Sequence, residues 1–215
     1  MKTTPVPGSD DQVDLDYSME EVKAGSASLS FGYSDVDGFL YGVSVSEPNF
    51  LGTGKLVSLS FQKSDYSSKY SYRYFNPFYT SNGISRGFDF SIAHYDPSDV
   101  DLDTYDMDQY AAGVSYAMPI NQTMRLSWGG GYKYVDISNL PDTVSPSVQE
   151  FIDDNEPPYN EFNLITGLSH DTRNRAFFPT QGGQQSLSVT VSLPVLDSSL
   201  PYYLLRLKGN WFVPI

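Results

Sequence analysis

At residues 187–193 the chain reads Leu187-Ser188-Val189-Thr190-Val191-Ser192-Leu193, so apolar and polar side chains alternate. Residues 27–33 repeat the pattern as Ala27-Ser28-Leu29-Ser30-Phe31-Gly32-Tyr33. Successive side chains of a strand point to opposite faces, so these segments predict strands with one apolar and one polar face. The apolar face is rich in aromatic residues, whereas the polar face carries mostly Ser, Thr, Gly and Gln. An aromatic outside and a polar inside are typical of a membrane-spanning β-barrel.

Ten segments of this kind follow one another and are separated by turn residues. Their approximate bounds are 26–33, 39–47, 55–63, 69–76, 84–95, 107–118, 123–135, 160–170, 184–193 and 202–213. Within each segment the apolar side chains keep one parity of residue number, and the parity changes only between segments. The chain therefore predicts ten consecutive strands.

The connections between these segments also differ in kind. Three short ones carry turn residues, at 49–54, 77–83 and 119–122, whereas those at 96–106 and 136–159 are long and polar. Outer-membrane barrels combine short periplasmic turns with longer outer loops. We therefore predict an all-β fold, an antiparallel transmembrane β-barrel. A soluble antiparallel sandwich also has alternating strands, but its surface would carry more Lys and Glu than is found here.

The composition excludes several classes of protein. The chain has 215 residues, a formal net charge of −13 and no cysteine. Nucleic acid is not an expected partner, because phosphate binding needs a basic surface, and disulfides and thiolate metal sites are excluded. No run approaches the roughly 18 apolar residues of a membrane-spanning helix. The first residues lack the apolar core of a signal peptide.

Motifs for catalysis, cofactor binding or metal binding are not expected in this chain. Its two histidines are isolated from each other and from any nucleophile motif. Asp99, Asp101 and Asp103 have the first spacing of a calcium loop, but Thr104 stands where that loop needs Gly and Tyr110 where it needs Glu. We interpret the segment as a solvated acidic loop, with weak divalent-ion binding near lipopolysaccharide as the alternative. We expect no enzyme activity and no cofactor.

The most specific stretch is residues 171–183, which read Asp171-Thr172-Arg173-Asn174-Arg175-Ala176-Phe177-Phe178-Pro179-Thr180-Gln181-Gly182-Gly183. By itself this is a hairpin connection with a fixed proline and a permissive glycine pair. Together with the alternating strand that follows, it resembles a signature of the outer-membrane assembly-factor superfamily. The residues of this signature turn that the resemblance singles out are Asp171, Arg173, Arg175, Phe178, Pro179, Thr180 and Gly182.

Further stretches match the bacterial branch of that superfamily in order. They are Val6–Ser9 with Asp11–Asp14, Phe31–Tyr33, Asn49–Gly54, Asn76–Thr80, Pro119–Asn121 and Val213–Ile215. The resemblance implies that residues 1–23 are a linker and the C-terminal remnant of a POTRA domain. It also implies that 24–215 are the N-terminal part of the barrel, about ten of sixteen strands. Such a part is expected to aggregate when it is expressed alone.

The resemblance implies a function as well. Members of this superfamily fold and insert β-barrel proteins into the bacterial outer membrane, which is the expected location. The expected partners are outer-membrane lipids and lipopolysaccharide, nascent β-barrel client proteins and the lipoproteins of the assembly complex. In the family, the barrel has a lateral seam next to its first strand, and this strand templates the client.

The seam maps onto the first segment of the present chain. Its residues are Ser26, Ala27, Ser28, Leu29, Ser30, Phe31, Gly32 and Tyr33. Small side chains specify the register of a strand poorly, which suits a seam that opens. We expect Leu29 and Phe31 to face lipid while the backbone offers the template. The alternative is an ordinary terminal strand.

Other functions consistent with the pattern are a passive porin or adhesin barrel and a soluble β-sandwich binding module, with an outer-membrane enzyme as the weakest candidate. Porins carry a charged constriction, whereas the charges predicted to point inward here are scattered, such as Arg73, Asp89, Arg125 and Lys133. The superfamily also has a Val-Arg-Gly-Phe motif in a later loop. Arg86-Gly87-Phe88 shares three of its letters, but lies in a predicted strand, and we interpret the match as chance.

Overall fold

A computed structural model describes most of the chain. The described residues are 2–5, 7–8, 12–18, 24–35, 38–96, 105–139, 149–150, 153–155, 157–195 and 199–214. Asp99, Asp101 and Asp103, the residues with calcium-loop spacing, lie outside these ranges. No helix within these ranges is long and apolar enough to cross a membrane.

The described residues form two antiparallel sheets. The small sheet pairs β1 (Lys2–Pro5) with β2 (Val13–Asp16). The large sheet has ten strands in sequence order. They are β3 (Ser26–Ser34), β4 (Gly38–Glu47), β5 (Leu56–Lys63), β6 (Ser67–Asn76), β7 (Ser85–Tyr95), β8 (Asp106–Pro119), β9 (Met124–Ser138), β10 (Tyr159–Asp171), β11 (Gly182–Leu193) and β12 (Tyr203–Phe212). A short 3₁₀ turn, Phe50–Gly52, lies between β4 and β5.

The ten predicted segments coincide with β3 to β12, and the all-β antiparallel fold is confirmed. The structure differs at Lys2–Pro5, which lie in the predicted linker but form β1. This strand gains its backbone hydrogen bonds from β2, where Lys2 lies opposite Asp16 and Pro5 opposite Val13. A proline at a strand end costs no ladder bond that the sheet needs, so its presence did not prevent pairing.

The register of the sheet brings every apolar parity onto one face. Val43 lies between Leu29 of β3 and Phe61 of β5. The same row continues through Tyr70, Ile92, Tyr110 and Tyr134. The change of parity between segments is therefore taken up in the connections, and ten separate stripes become one continuous surface, called here the apolar face.

The apolar face is exposed. Phe31 is 82% exposed and Leu207 is 72% exposed, and Val135 and Tyr159 are the buried apolar residues of the described chain. A soluble sandwich would bury this face against a second sheet. A surface of this extent is stable only against an apolar surrounding such as lipid.

The height of the apolar face fits a membrane. On β7, Arg86 and His94 bracket Phe88, Phe90 and Ile92. Eight residues of strand span about 27 Å, or about 20 Å along the membrane normal at the usual strand tilt of about 40°. The apolar band of outer-membrane barrels is about 25 Å tall. His94 Nδ1 lies 2.6 Å from the Asp108 carboxylate at one rim, so polar groups return where the band ends.

The opposite face of the sheet is mostly polar, and small residues predominate on it. Ser60 and Ser71 share a hydrogen bond of 2.6 Å there, and Arg73 pairs with Asp89 at 2.7 Å. A Cβ atom on Gly129 would lie 2.5 Å from the carbonyl oxygen of Val114. The backbones of β8 and β9 thus approach more closely than a side chain permits, which lets the sheet curve around its polar face.

A side chain at Gly129 should therefore destabilise the sheet. Gly129→Ala places a methyl group against the Val114 carbonyl, and the overpacking should cost about 1–3 kcal/mol. Gly130→Ala is the matched control, because its Cβ would lie 3.4 Å from its nearest neighbours on the apolar face. The measurement is the urea midpoint of the full-length protein refolded in lipid vesicles. Equal midpoints for the two variants would contradict this account of the curvature.

Candidate functional site

The first candidate site is the edge strand β3. It pairs with β4 from Ser26 opposite Ser46 to Ser34 opposite Gly38. Within the described part of the chain, no strand pairs with its other side. In an antiparallel ladder, alternate residues direct their N–H and C=O groups to opposite sides. Half of the backbone groups of β3 therefore point toward an open edge.

The side chains of β3 divide between the two faces as the sequence predicts. Leu29 lies opposite Val43, and Phe31 lies opposite Tyr41 on the apolar face. Tyr33 makes an edge-to-face contact with Phe39, with ring centroids 5.2 Å apart. The polar face of β3 carries Ser26, Ser28, Ser30, Gly32 and Ser34. Contacts on one face thus set the register, while the other face adds little packing.

The second candidate site is the signature turn between β10 and β11, which begins with an ion pair between Asp171 and Arg173. Arg173 donates two parallel hydrogen bonds to the Asp171 carboxylate, from Nε to Oδ1 at 2.9 Å and from Nη2 to Oδ2 at 2.7 Å. The backbone N–H of Arg173 also donates to Oδ1 at 3.1 Å. The hydrogen bonds that its guanidinium donates to the Asp171 carboxylate raise the pKa of Arg173. The pair stiffens the chain as it leaves β10.

Asn174 organises the middle of the turn. Its Oδ1 accepts the backbone N–H of Thr180 at 3.1 Å and that of Gln181 at 3.4 Å, while its Nδ2 donates to the Thr180 hydroxyl at 2.9 Å. Asn174 was not among the residues singled out from the sequence. An asparagine that bonds nearby backbone is typical of turns, so its presence in the stretch was a usable signal.

Glycine is required where the turn re-enters the sheet. Gly182 has a φ of 95°, and a Cβ atom there would lie 2.1 Å from the carbonyl oxygen of Thr172. The neighbouring Gly183 accepts the backbone N–H of Thr172 at 2.8 Å. The glycine pair therefore lets two backbone segments pack side by side.

The tip of the turn is apolar and exposed. Phe178 is 89% exposed and has a φ of 50°, a left-handed conformation that is rare for a bulky residue. Phe177 beside it is 83% exposed, and Arg175 is exposed as well. The structure thus brings Asp171, Arg173, Thr180 and Gly182 into one bonded turn. It leaves Arg175 and Phe178 facing outward on either side of the tip.

The edge strand and the signature turn are separate sites. Six strands, β4 to β9, lie between β3 and β10 in the sheet. Both sites adjoin the same end of the sheet, the one that carries the turns after β4, β6 and β8, since β3 starts at that end and β10 finishes there. The two candidates are therefore distinct sites, and neither contributes a residue to the other.

A buried charged cluster was missed by the sequence reasoning. The Glu161 side chain is 8% exposed and pairs with Lys133 Nζ at 2.8 Å. The Tyr202 hydroxyl donates to Glu161 Oε2 at 2.9 Å. Burial, and then the hydrogen bond to Glu161, raise the pKa of Tyr202. The cluster fastens the connection between β11 and β12 onto the polar face, and no local motif marks partners so far apart in sequence.

Removing the Asn174 side chain should make the signature turn less stable. Asn174→Ala deletes two acceptor bonds and one donor bond, and partial replacement by water leaves an expected loss of about 1–2 kcal/mol. Arg175→Ala is the matched control, because this neighbour is exposed and makes no described side-chain contact. We expect faster protease cleavage within 172–181 only for Asn174→Ala. Identical cleavage of both variants and the unmodified protein would show that the bonds do not hold the turn.

Residues 49–215 match the model of the Omp85 superfamily domain. The chain is 24% identical over 220 residues to "Outer membrane protein assembly factor BamA" of Neisseria meningitidis serogroup B, an alignment that covers 98% of this chain and 27% of that protein. It is 27% identical over 136 residues to the protein of the same name from Buchnera aphidicola, covering 60% of this chain and 21% of that protein. The chain thus spans about a quarter of the length of these curated relatives.

Among solved structures, BamA from Haemophilus ducreyi lacking POTRA domains 1–3 superposes with a TM-score of 0.71 and 24% sequence identity. The superposition covers 97% of this chain and 41% of that chain. It confirms the fold, a partial antiparallel barrel that stays open across β3 and β12 within the described residues. The family match extends over most of the strands of the large sheet and includes the whole signature turn. The chain therefore belongs to the Omp85 superfamily.

Proposed function

We propose that the chain is the N-terminal part of the barrel of an outer membrane protein assembly factor, which folds and inserts β-barrel proteins into the bacterial outer membrane. The family and the names of its relatives support this role. The observation that carries the proposal is the open edge of β3, which adjoins the exposed apolar face. The proposed partners are nascent β-barrel clients, outer-membrane lipids and lipopolysaccharide, and accessory lipoproteins.

The driving force would come from backbone hydrogen bonding at the edge. An unpaired N–H or C=O group in the hydrocarbon region costs several kcal/mol, so an open edge and an incoming client strand both gain by pairing. Addition of an extended segment to a sheet edge is a general mode of recognition. β3 offers nine residues for it. No covalent step is needed, and we propose that the protein works without one.

The composition of β3 suits a strand that must exchange partners. Leu29 and Phe31 hold the register through their neighbours on β4 and keep their apolar side chains toward lipid. The serines and the glycine on the polar face add little packing, so a client can displace a weak contact without leaving a large cavity. The proposed template is therefore residues 26–33, as the family resemblance implies.

The signature turn has a different proposed role. Its ion pair and the Asn174 bonds make the β10–β11 hairpin stiff on the side opposite the seam. The strained, exposed Phe178 would then be presented by a rigid support rather than by a loose loop. We propose that this turn keeps the far part of the barrel fixed while the seam opens.

Proline substitutions at Leu29 and Ser30 test the template. Adjacent residues direct their N–H groups to opposite sides of β3, so one proline removes a bond to β4 and the other removes a donor from the open edge. The variant that loses the edge donor should keep its urea midpoint in vesicles. It should assemble a small client barrel about tenfold more slowly, since one ladder bond is worth about 1 kcal/mol or slightly more.

The other proline variant serves as the control. It should lower the urea midpoint and thereby identify which position faces β4. Both measurements use the full-length protein reconstituted in vesicles. If the variant with the unchanged midpoint assembles the client at the unmodified rate, the open edge is not the template.

A further inference from the structure

Arg86 occupies an unusual position on the apolar face. It lies opposite Asn76 of β6 and Tyr116 of β8, and Phe88 follows it on the same face of β7. Arg86 is at the end of the sheet that carries the turns after β4, β6 and β8. His94 is at the opposite end, where the long connections after β7 and β9 leave the sheet. Arg86, from the Arg86-Gly87-Phe88 stretch that has no assigned role, is thus a charged group at one rim of the apolar face.

Aromatic rings surround the Arg86 guanidinium. Its central carbon lies 3.8 Å from the centroid of the Tyr79 ring and 5.0 Å from that of Phe88. The ring centroids of Tyr79 and Tyr116 are 6.2 Å apart. The Tyr116 ring in turn stacks on the Trp128 ring, with centroids 5.8 Å apart and an interplanar angle of 14°. These five residues are called here the arginine cluster. It extends over β7, β8 and β9.

The turn between β6 and β7 is shaped to complete the cluster. The Asn76 side chain accepts the backbone N–H of Phe78 at 3.1 Å. The backbone N–H of Tyr79 donates to the carbonyl of Ile84 at 2.9 Å, and that of Gly83 donates to Thr80 at 3.1 Å. These bonds fold the turn back so that the Tyr79 ring covers the guanidinium.

The charge of Arg86 has no anionic partner in the described chain. None of the ion pairs among the described residues involves Arg86. The Nε atom is enclosed without an acceptor, so an external anion would bond the terminal nitrogens of the guanidinium. Arg73, one strand away on the polar face, pairs with Asp89 at 2.7 Å. Aromatic rings attract a cation but do not accept its N–H groups in the manner of an oxyanion. An arginine that faces the membrane therefore needs an anion from outside the described residues.

The position of the cluster identifies that anion. Tyrosine and tryptophan rings settle at the headgroup level of a membrane, and short turns mark the periplasmic side of an outer-membrane barrel. The phosphate of a phospholipid lies at this level, and it matches the planar fork of a guanidinium. We propose that the arginine cluster binds the phosphate of an anionic phospholipid in the periplasmic leaflet, with the aromatic rings against its glycerol and upper acyl chains.

The proposal is tested by lipid retention. The full-length protein, extracted in mild detergent, is titrated with phosphatidylglycerol or phosphatidylcholine and analysed by native mass spectrometry. We expect phosphatidylglycerol to bind at least tenfold more tightly than phosphatidylcholine. Both lipids carry a phosphate, but the choline cation of phosphatidylcholine offsets its charge and repels the guanidinium. Arg86→Gln should abolish the preference, and Arg86→Lys should keep part of it, because lysine retains the charge without the planar fork.

Arg206→Gln is the matched control. It removes one positive charge from the polar face of β12, away from the cluster, and should leave the preference intact. Circular dichroism of each variant verifies that the sheet is retained. Equal retention by Arg86→Gln and the unmodified protein would overturn the site. Displacement of the lipid by low millimolar inorganic phosphate would also overturn it, because the cluster would then be a simple anion site. Neither result bears on client assembly, which the edge-strand variants test separately.

Discussion

A backbone N–H or C=O group cannot be left unpaired in the hydrocarbon region of a membrane, and the rest of this structure depends on that constraint. It forces the chain to cross as strands and to pair each one with a neighbour. It also makes every interruption of pairing consequential. In the large sheet, each strand from β4 to β11 is paired on both sides. Open backbone is therefore concentrated at the outer edges of the sheet, and β3 combines such an edge with weak packing on its polar face.

Much of the fold could be predicted from the sequence because one physical rule, the period of two, operates in every strand. The ten segments, their faces and the short turns all follow from it. The rule does not reach Lys2–Pro5, because four residues with one proline are too short to show a period. It also does not reach the pairing of Glu161 with Lys133 and Tyr202, because the register of three strands and a connection brings these groups together. The partners of buried charges depend on tertiary structure, and the alternation of apolar and polar residues does not predict them.

The turn chemistry was partly predictable. Gly182 was expected from the glycine pair, and its φ of 95° explains the need for glycine. Leu51 and Phe178 were not expected to adopt positive φ, since bulky residues pay for that conformation in steric strain. Both lie at tips of short connections and point their side chains outward. The sequence marks such tips as turns, but the backbone conformation of each tip is decided by the bonds around it.

The strict sequence order of the large sheet bears on how the protein acquires its structure. Each strand pairs only with strands that precede or follow it directly in the chain, so the sheet can grow one hairpin at a time. Closing a loop costs little when it is short, and each doubling of its length adds only about 0.6 kcal/mol. The connection from Ser138 to Tyr159 is the longest in the sheet. Pairing β10 with β9 therefore carries the largest loop-closure cost among the hairpins of the large sheet.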